Sequence, residues 1–368
     1  MTTRQPHRYV MELFKRNGAA LGQVPVVADW EPAWETARFA ALRRFPIATI
    51  GPGAVAELRP VWHTDLGAPF VGAVEVALQL PGVGEVSCQV PTTYFKSFAG
   101  AASAPFVGKG LLKSGEYFNY RIAAFANPPE PPMNPQRKPR FQIEEVSEPL
   151  PIRAASLNDF NKRSSAVGEQ NESDIRVFVS KQVVAETEQL ARAAGGLETA
   201  SILVGHVHRD PGGELFLEVT AQIHARYAEA TATKVSFGPE TWDAVSHALA
   251  LRGKNEQWLG WWHLHPSSAW CNPKCAPEER AKCPLQRSFF SSDDCDVHRT
   301  VFPKAFQVAL LITSTDAGLR HAMFSWRNGL IVQRGFHILA TNGELNPALV
   351  PDATATIGDD QDEKACSR

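Results

Sequence analysis

The sequence predicts an α/β chain: a mixed β-sheet flanked by helices, preceded by a smaller α+β domain. In the second half, apolar runs of strand length such as SILVGHVHRD and FQVALLITS alternate with stretches of helical periodicity, the pattern of helices packed on a sheet. Residues 127–140, NPPEPPMNPQRKPR, hold too much proline for a helix or an inner strand and read as a stiff connector. With the polar stretch 156–173 they give a linker over 127–173, between a domain at 1–126 and one at 174–342. The end, 343–368, has no hydrophobic periodicity and is expected as a disordered tail.

The first domain is the harder to read. Glu31–Arg44 has Trp34, Phe39 and Leu42 on one helical face. VGAVEVALQL and GEVSCQV alternate on either side of Pro81–Gly84 as a hairpin would, and GEYFNYRIAAF at 115–125 adds a strand. Gly108-Lys109-Gly110 is no phosphate loop, since no Ser or Thr follows the lysine. Nothing else here names a chemistry.

The second domain reads in order. IRVFVS (175–180) is a strand, and KQVVAETEQLARAA (181–194) is an amphipathic helix with Val184, Thr187, Leu190 and Ala191 on one side and Gly195-Gly196 as its stop. SILVGHVHRD and ELFLEVTAQIHA are neighbouring strands across Pro211–Gly213, and PETWDAVSHALALRG (239–253) is a helix. EQWLGWWHLHP, FQVALLITS and LRHAMFSWRNGLIVQRGFHIL supply further strands, the last as a hairpin about Arg327-Asn328-Gly329.

Composition narrows the function classes. The chain of 368 residues has a formal net charge of -2, so it offers no global attraction for nucleic acid or an acidic membrane surface. No apolar stretch reaches transmembrane length, and Met1–Val10 lacks the apolar core of a secretory signal. The cytoplasm is the expected compartment, with neither nucleic acid nor membrane as a partner.

The chemistry concentrates at His263-Leu264-His265-Pro266 and Ser291-Ser292-Asp293-Asp294. Histidines at i and i+2 on a strand end point the same way, so both imidazoles reach one metal ion. A carboxylate from a separate helix start makes three protein ligands and leaves a fourth tetrahedral position for water, the pattern of a catalytic zinc. Such a site also needs a base, and Glu198 is the candidate. His206 and His208 alternate on a strand with no carboxylate at matching spacing and read as structural or rim residues; Trp258, Trp261 and Trp262 read as packing.

Cys271, Cys275, Cys283 and Cys295 form a second constellation, while Cys88 and Cys366 stand apart. Four thiolates suffice for a closed structural zinc, with His298 as the alternative to Cys295. The insertion 267–290 is hydrophilic and has little to bury, so a second metal ion is expected to order it.

Taken together, Glu198-Thr199-Ala200-Ser201-Ile202-Leu203-Val204-Gly205, Trp262-His263-Leu264-His265-Pro266 and Ser291-x-x-Asp294 resemble the motif of the JAMM/MPN-plus (Mov34/JAB) zinc metalloproteases, over about residues 174–340. The resemblance implies an MPN (JAB) domain in which His263, His265 and Asp294 bind zinc. It implies Glu198 as general acid/base and Ser291 as the donor to the oxyanion of the tetrahedral intermediate. One departure is plain: the family places its serine soon after the second histidine, whereas here Pro266–Phe290 intervene, with Asp293 and Asp296 close to Asp294. The implied activity is cleavage after the C-terminus of a ubiquitin-like protein, in deconjugation or precursor processing. Its partners would be that protein, its conjugates and the E1-like and E2-like proteins of a bacterial, in some cases antiviral, conjugation operon. Release of an amino acid or peptide from a sulfur-carrier protein is the alternative, and a non-catalytic MPN scaffold a third.

Overall fold

Two mixed β-sheets, each with its own helices, organise residues 2–51, 53–64, 69–128 and 149–340 of the computed structural model. The chain divides into Met1–Pro149 with Asn328–Leu330, and Leu150–Arg327 with Ile331–Arg368. No described helix is long and apolar enough to cross a membrane.

The first unit contains β1 (Thr2–Arg4), β2 (His7–Lys15), β3 (Ala20–Val26), α1 (Glu31–Arg44), β4 (Val55–His63), β5 (Phe70–Leu80), β6 (Gly84–Pro91), α2 (Lys96–Gly108) and β7 (Phe118–Ala126). Its sheet runs β1-β4-β5-β7-β2-β3, with β6 against β5. Helix α1 forms where its sequence periodicity places it, and Ala33, Trp34, Ala37, Phe39 and Ala41 face the core. The β5–β6 hairpin closes with Leu80 opposite Gly84, as the Pro81–Gly84 turn predicts. Tyr9, Met11, Leu13, Trp30 and Phe95 fill the centre, with Trp30 stacked on Tyr94 at 5.5 Å.

The second unit contains β8 (Ile152–Ala154), α3 (Leu157–Lys162), β9 (Ser164–Val167), β10 (Arg176–Ser180), α4 (Lys181–Ala193), β11 (Ala200–Arg209) and β12 (Leu215–His224). A short ribbon, β13 (Glu229–Ala230) with β14 (Val235–Ser236), precedes α5 (Pro239–Arg252) and β15 (Gln257–His265). Then come α6 (Ser267–Trp270), α7 (Pro277–Ala281), α8 (Ser292–Val301), β16 (Val308–Thr315), β17 (Gly318–Arg327), β18 (Leu330–Arg334) and β19 (Phe336–Leu339). The sheet order is β18-β17-β16-β15-β11-β12-β10-β19-β9, with β8 against β11.

β11, β15 and β16 are central and almost wholly buried, which is why their sequences read as near-continuous apolar runs rather than clean alternation. Two glycines permit close approach between neighbouring strands, Gly205 of β11 to β12 and Gly260 of β15 to β16. A Cβ on Gly205 would lie 1.9 Å from the Glu218 carbonyl oxygen, and one on Gly260 1.7 Å from that of Val308. Gly260 also has φ +148°, beside the register shift between Leu203 and Val204 that offsets β15 against β11.

Residues 156–173 correct the expected linker. They carry α3, capped by Ser156, whose Oγ accepts from the Asp159 amide at 3.2 Å, and β9, antiparallel to β19. Leu157 and Phe160, three apart, bury against Phe178 and Phe216, so two apolar side chains anchor a segment whose composition is otherwise polar. Residues 129–148, most of the proline-rich connector, and the tail 343–368 lie outside the described residues.

Two stability predictions follow from this sheet. Gly260→Ala should cost on the order of 1–3 kcal/mol from backbone strain alone, with the clash against Val308 added, and lower the urea midpoint; an unchanged midpoint would contradict the tight β15–β16 approach. Glu256 accepts from Arg252 Nε at 2.5 Å and from Thr220 Oγ1 at 2.5 Å. The Arg252 hydrogen bond holds its pKa down at about 2, against the effect of burial. Because the folded pKa lies below the unfolded one, the contribution is complete above about 4.5 and is lost as pH falls towards 2. The melting-temperature gap between the parent protein and Glu256→Gln should therefore narrow across that interval.

Candidate metal centre

The centre begins with alternation along β15. Trp261, His263 and His265 share one face, and the Trp261 and His263 rings stack at 4.3 Å. The strand lies between β11 and β16, with Ala200 opposite His263 and Thr313 opposite His265. Both histidines are thereby sunk at the end of the sheet.

The carboxylate comes from the start of α8. Ser291 caps this helix through Oγ, which accepts from the Asp294 amide at 3.1 Å, while Asp294 Oδ2 accepts from the Ser291 amide at 2.7 Å. This reciprocal capping box fixes the carboxylate before any ligand is considered. Asp294 Oδ1 then lies 3.2 Å from His263 Nε2, and Oδ2 lies 3.2 Å from His265 Nε2. The two Nε2 atoms are 3.1 Å apart.

Among the described residues, His263, His265 and Asp294 are the group of three or more whose ligand atoms all fall within 4.8 Å of one another. The donor set fits a metal ion. Two imidazole nitrogens this close repel as lone pairs unless a proton or cation sits between them, and two imidazoles with a carboxylate are the ligands that zinc and its neighbours accept. Asp293 and Asp296 are exposed and lie outside this group, so Asp294 is the aspartate of this stretch that the fold brings to the histidines.

Electrostatics agree with the geometry. Burial alone would raise the Asp294 pKa, but the charges and hydrogen bonds of His263 and His265 hold it well below the carboxylate range. Burial lowers the His265 pKa, favouring the neutral imidazole that a metal needs. Glu198 stands at the entry to β11, its amide donating to Thr231 O at 2.9 Å, and the next residue's carbonyl accepts from the Leu264 amide at 2.9 Å. Burial first, then Asp294 and Asp293, push its carboxyl up to about 7 against the pull of His263. A carboxyl that changes protonation near neutrality beside a metal-capable triad can take and deliver a proton.

An aromatic shell that the sequence did not disclose surrounds the triad. Trp270 and Phe289 flank His265, each at 5.0 Å, and Phe290 lies 5.8 Å from His263 while stacking on Phe324 at 4.6 Å. The adjacent pair Phe289-Phe290 just before the Ser291 cap was the available signal.

The cysteines depart from expectation. Cys271, Cys275, Cys283 and Cys295 do not assemble into a metal-holding group among the described residues, and Cys295 belongs to α8 rather than to the insertion. His298 does not substitute for it. It is buried and accepts from Trp261 Nε1 at 3.2 Å through Nδ1, between Trp326 at 5.4 Å and Phe302 at 6.1 Å. Burial lowers its pKa to about 3, so it is a neutral core residue.

The insertion is instead held by polar contacts. Arg280 grips Asp316, at the turn after β16, with Nε at 2.8 Å and Nη2 at 2.6 Å, and reaches Ser268 O at 3.2 Å. Gln286 Oε1 accepts from the Asp316 amide at 3.1 Å. His208 does have a carboxylate partner, Glu218 at 2.8 Å on β12, and His206 accepts from Arg153 at 2.8 Å. Trp261 and Trp262 are packing residues, fully buried.

No family model and no curated protein matches the chain. Among solved structures it is similar to the solution structure of protein DSY2949 from Desulfitobacterium hafniense, at 15% identity and a TM-score of 0.27, over 45% of this chain and 92% of that one.

The triad predicts a single metal site. Calorimetric titration with zinc should give one tight site in the parent protein, and His263→Ala or Asp294→Ala should remove it, since two remaining ligands hold zinc poorly. Binding that survives either change would place the metal elsewhere.

Proposed function

We propose that this protein is a zinc-dependent peptidase or isopeptidase of the JAMM/MPN-plus type, its second unit an MPN domain. The observation that carries this reading is the convergence of His263, His265 and Asp294 in a buried triad, with Glu198 beside it and its pKa raised towards neutrality. The chain order supports it: glutamate before a central strand, two histidines at the end of the neighbouring strand, serine and aspartate opening a helix.

His263, His265 and Asp294 would hold the ion. Bound zinc supplies Lewis acidity, polarising a carbonyl and bringing a water's pKa towards neutrality. Glu198 takes the proton of the attacking water and returns it to the leaving amine, a task for which a carboxyl titrating near 7 is matched. Ser291 stands one helical turn from Asp294, where its hydroxyl hydrogen can meet an oxyanion while its oxygen accepts from the Asp294 amide. The aromatic shell of Trp270, Phe289 and Phe290 limits water at this end of β15.

The substrate in this reading is the C-terminal tail of a ubiquitin-like protein, joined to a peptide or to a lysine side chain. A fusion of such a protein to a C-terminal extension should be cut after the tail, and chelation should stop the cut. A parallel fusion to a sulfur-carrier protein tests the narrower substrate. Neither fusion being cut by zinc-loaded protein, or cutting that resists chelation, would overturn the proposal.

Glu198→Gln should lower turnover by about a hundred- to ten-thousand-fold while zinc stays bound, because the amide keeps the shape and cannot accept a proton. In the parent enzyme kcat/KM should fall towards acid as Glu198 becomes protonated, and Glu198→Gln should lack that limb. Ser291→Ala should cost roughly a hundredfold or more in kcat, the scale of one oxyanion donor, and about 1 kcal/mol of stability from the lost cap. A kcat unchanged alongside that stability loss would confine Ser291 to capping.

A further inference from the structure

Neither histidine of the centre is oriented by a hydrogen bond at its second ring nitrogen. His263 Nδ1 and His265 Nδ1 are buried and have no hydrogen-bond partner among the described residues, while both Nε2 atoms face Asp294. A ligand histidine generally donates its other ring N–H to a carboxylate, a carbonyl or water, and that bond fixes the ring. Without it, the broad and roughly two-fold χ2 torsion is left to packing.

The two rings are packed in different ways. His263 lies within β15 and stacks on Trp261, its i−2 neighbour on the same strand face, at 4.3 Å with 13° between the planes. His265 is the last residue of β15, so no strand residue follows it on that face. The insertion supplies its outer flank instead. Trp270 and Phe289 each lie 5.0 Å from the His265 ring, tilted at 53° and 49°, and 6.2 Å from one another.

Trp270 is itself anchored. Its Nε1 donates to Ala232 O at 2.6 Å, in the turn of the β13–β14 ribbon, and Thr231 O of the same turn accepts the Glu198 amide at 2.9 Å. Behind the indole, the Cys271 amide closes α6 on Ser267 O at 3.2 Å, and Arg280, paired with Asp316, holds Ser268 O at 3.2 Å. Gln286 Nε2 donates to Cys271 Sγ at 3.4 Å. The indole is therefore fixed by contacts that do not involve the histidine.

We propose that Trp270 is a positioning residue of the metal centre, holding the His265 imidazole by packing in the orientation that sends Nε2 towards Asp294 and the metal ion. The insertion 267–290 then has a task in the centre, because it completes the flank that the end of β15 leaves open. Removing the indole frees the χ2 torsion of His265, and the ring spends part of its time turned away from the ligand position. His263 keeps its orientation, since its stacking partner is Trp261. The inference rests on the metal-centre reading and is independent of the reaction carried out there.

The test measures zinc affinity by competition with a chromophoric chelator, together with the visible spectrum of the cobalt(II)-loaded protein. Trp270→Ala should weaken zinc binding by about 10- to 100-fold, the range for outer partners of ligand histidines. It should also alter the cobalt d–d bands, as His265 leaves its position. Trp270→Phe keeps a ring against His265 and loses the tie to Ala232, so it should weaken binding by only about two- to tenfold, the scale of one hydrogen bond. Leu285→Ala, a change at an exposed side chain of the same insertion, should keep the parent affinity and spectrum. Should Trp270→Ala fail to fold, Trp270→Phe decides by the same two readouts. Parent affinity and spectrum in the Trp270 variants that fold, or an equal loss in Leu285→Ala, would overturn the proposal. A parent protein that binds no zinc would instead remove the metal centre itself, and this inference with it.

Discussion

The Asp294 carboxylate joins two elements that nothing in the chain order brings together. One oxygen completes the cap of α8 by accepting the Ser291 amide, and both oxygens face the imidazoles at the end of β15. Its negative charge sits at a helix N-terminus, where the helix dipole favours it, and beside two groups that can be cationic. Burial works against that charge, and the histidines outweigh it. The placement of α8 against the sheet, the depth of both histidines and the raised pKa of Glu198 are all conditions around this one ionised group.

The insertion 267–290 adds a second layer of constraint. Its large aromatic side chains, Trp270, Phe289 and Phe290, pack on His263 and His265 rather than on a core of its own. The remainder is fixed by the bidentate Arg280–Asp316 pair, which adds geometric specificity that a single charged contact lacks. These contacts order the segment between the second histidine and the Ser291 cap.

Helices α1, α4 and α5 were legible because each is marked at its ends: Pro32 near the start of α1, Ser180 capping α4, and Pro239 with Gly253 bounding α5. The turn at Asn328-Gly329 was legible for the same reason, since both residues take positive φ, 51° and 76°. Strands β2, β3 and β4 and helix α2 went unread because half-burial blurs their periodicity. Residues 156–173 were misread because the burial that folds them rests on Leu157 and Phe160 alone. The partner of His208 was missed because Glu218 stands across a strand pair, at a register that sequence spacing does not fix.

By itself, the sequence determined the donor types of the candidate metal centre and their local presentation. Histidines at i and i+2 on a strand share a face, and a serine three residues before an aspartate forms a capping box, because both follow from backbone geometry over a few residues. Tertiary structure decided everything that depends on distance between remote segments. It brought Asp294 rather than its acidic neighbours to the histidines, buried Glu198 so that its carboxyl titrates near neutrality, and sent His298 into the core. These outcomes arise from which strands pair and which surfaces exclude water, and neither is encoded in the spacing of any single motif.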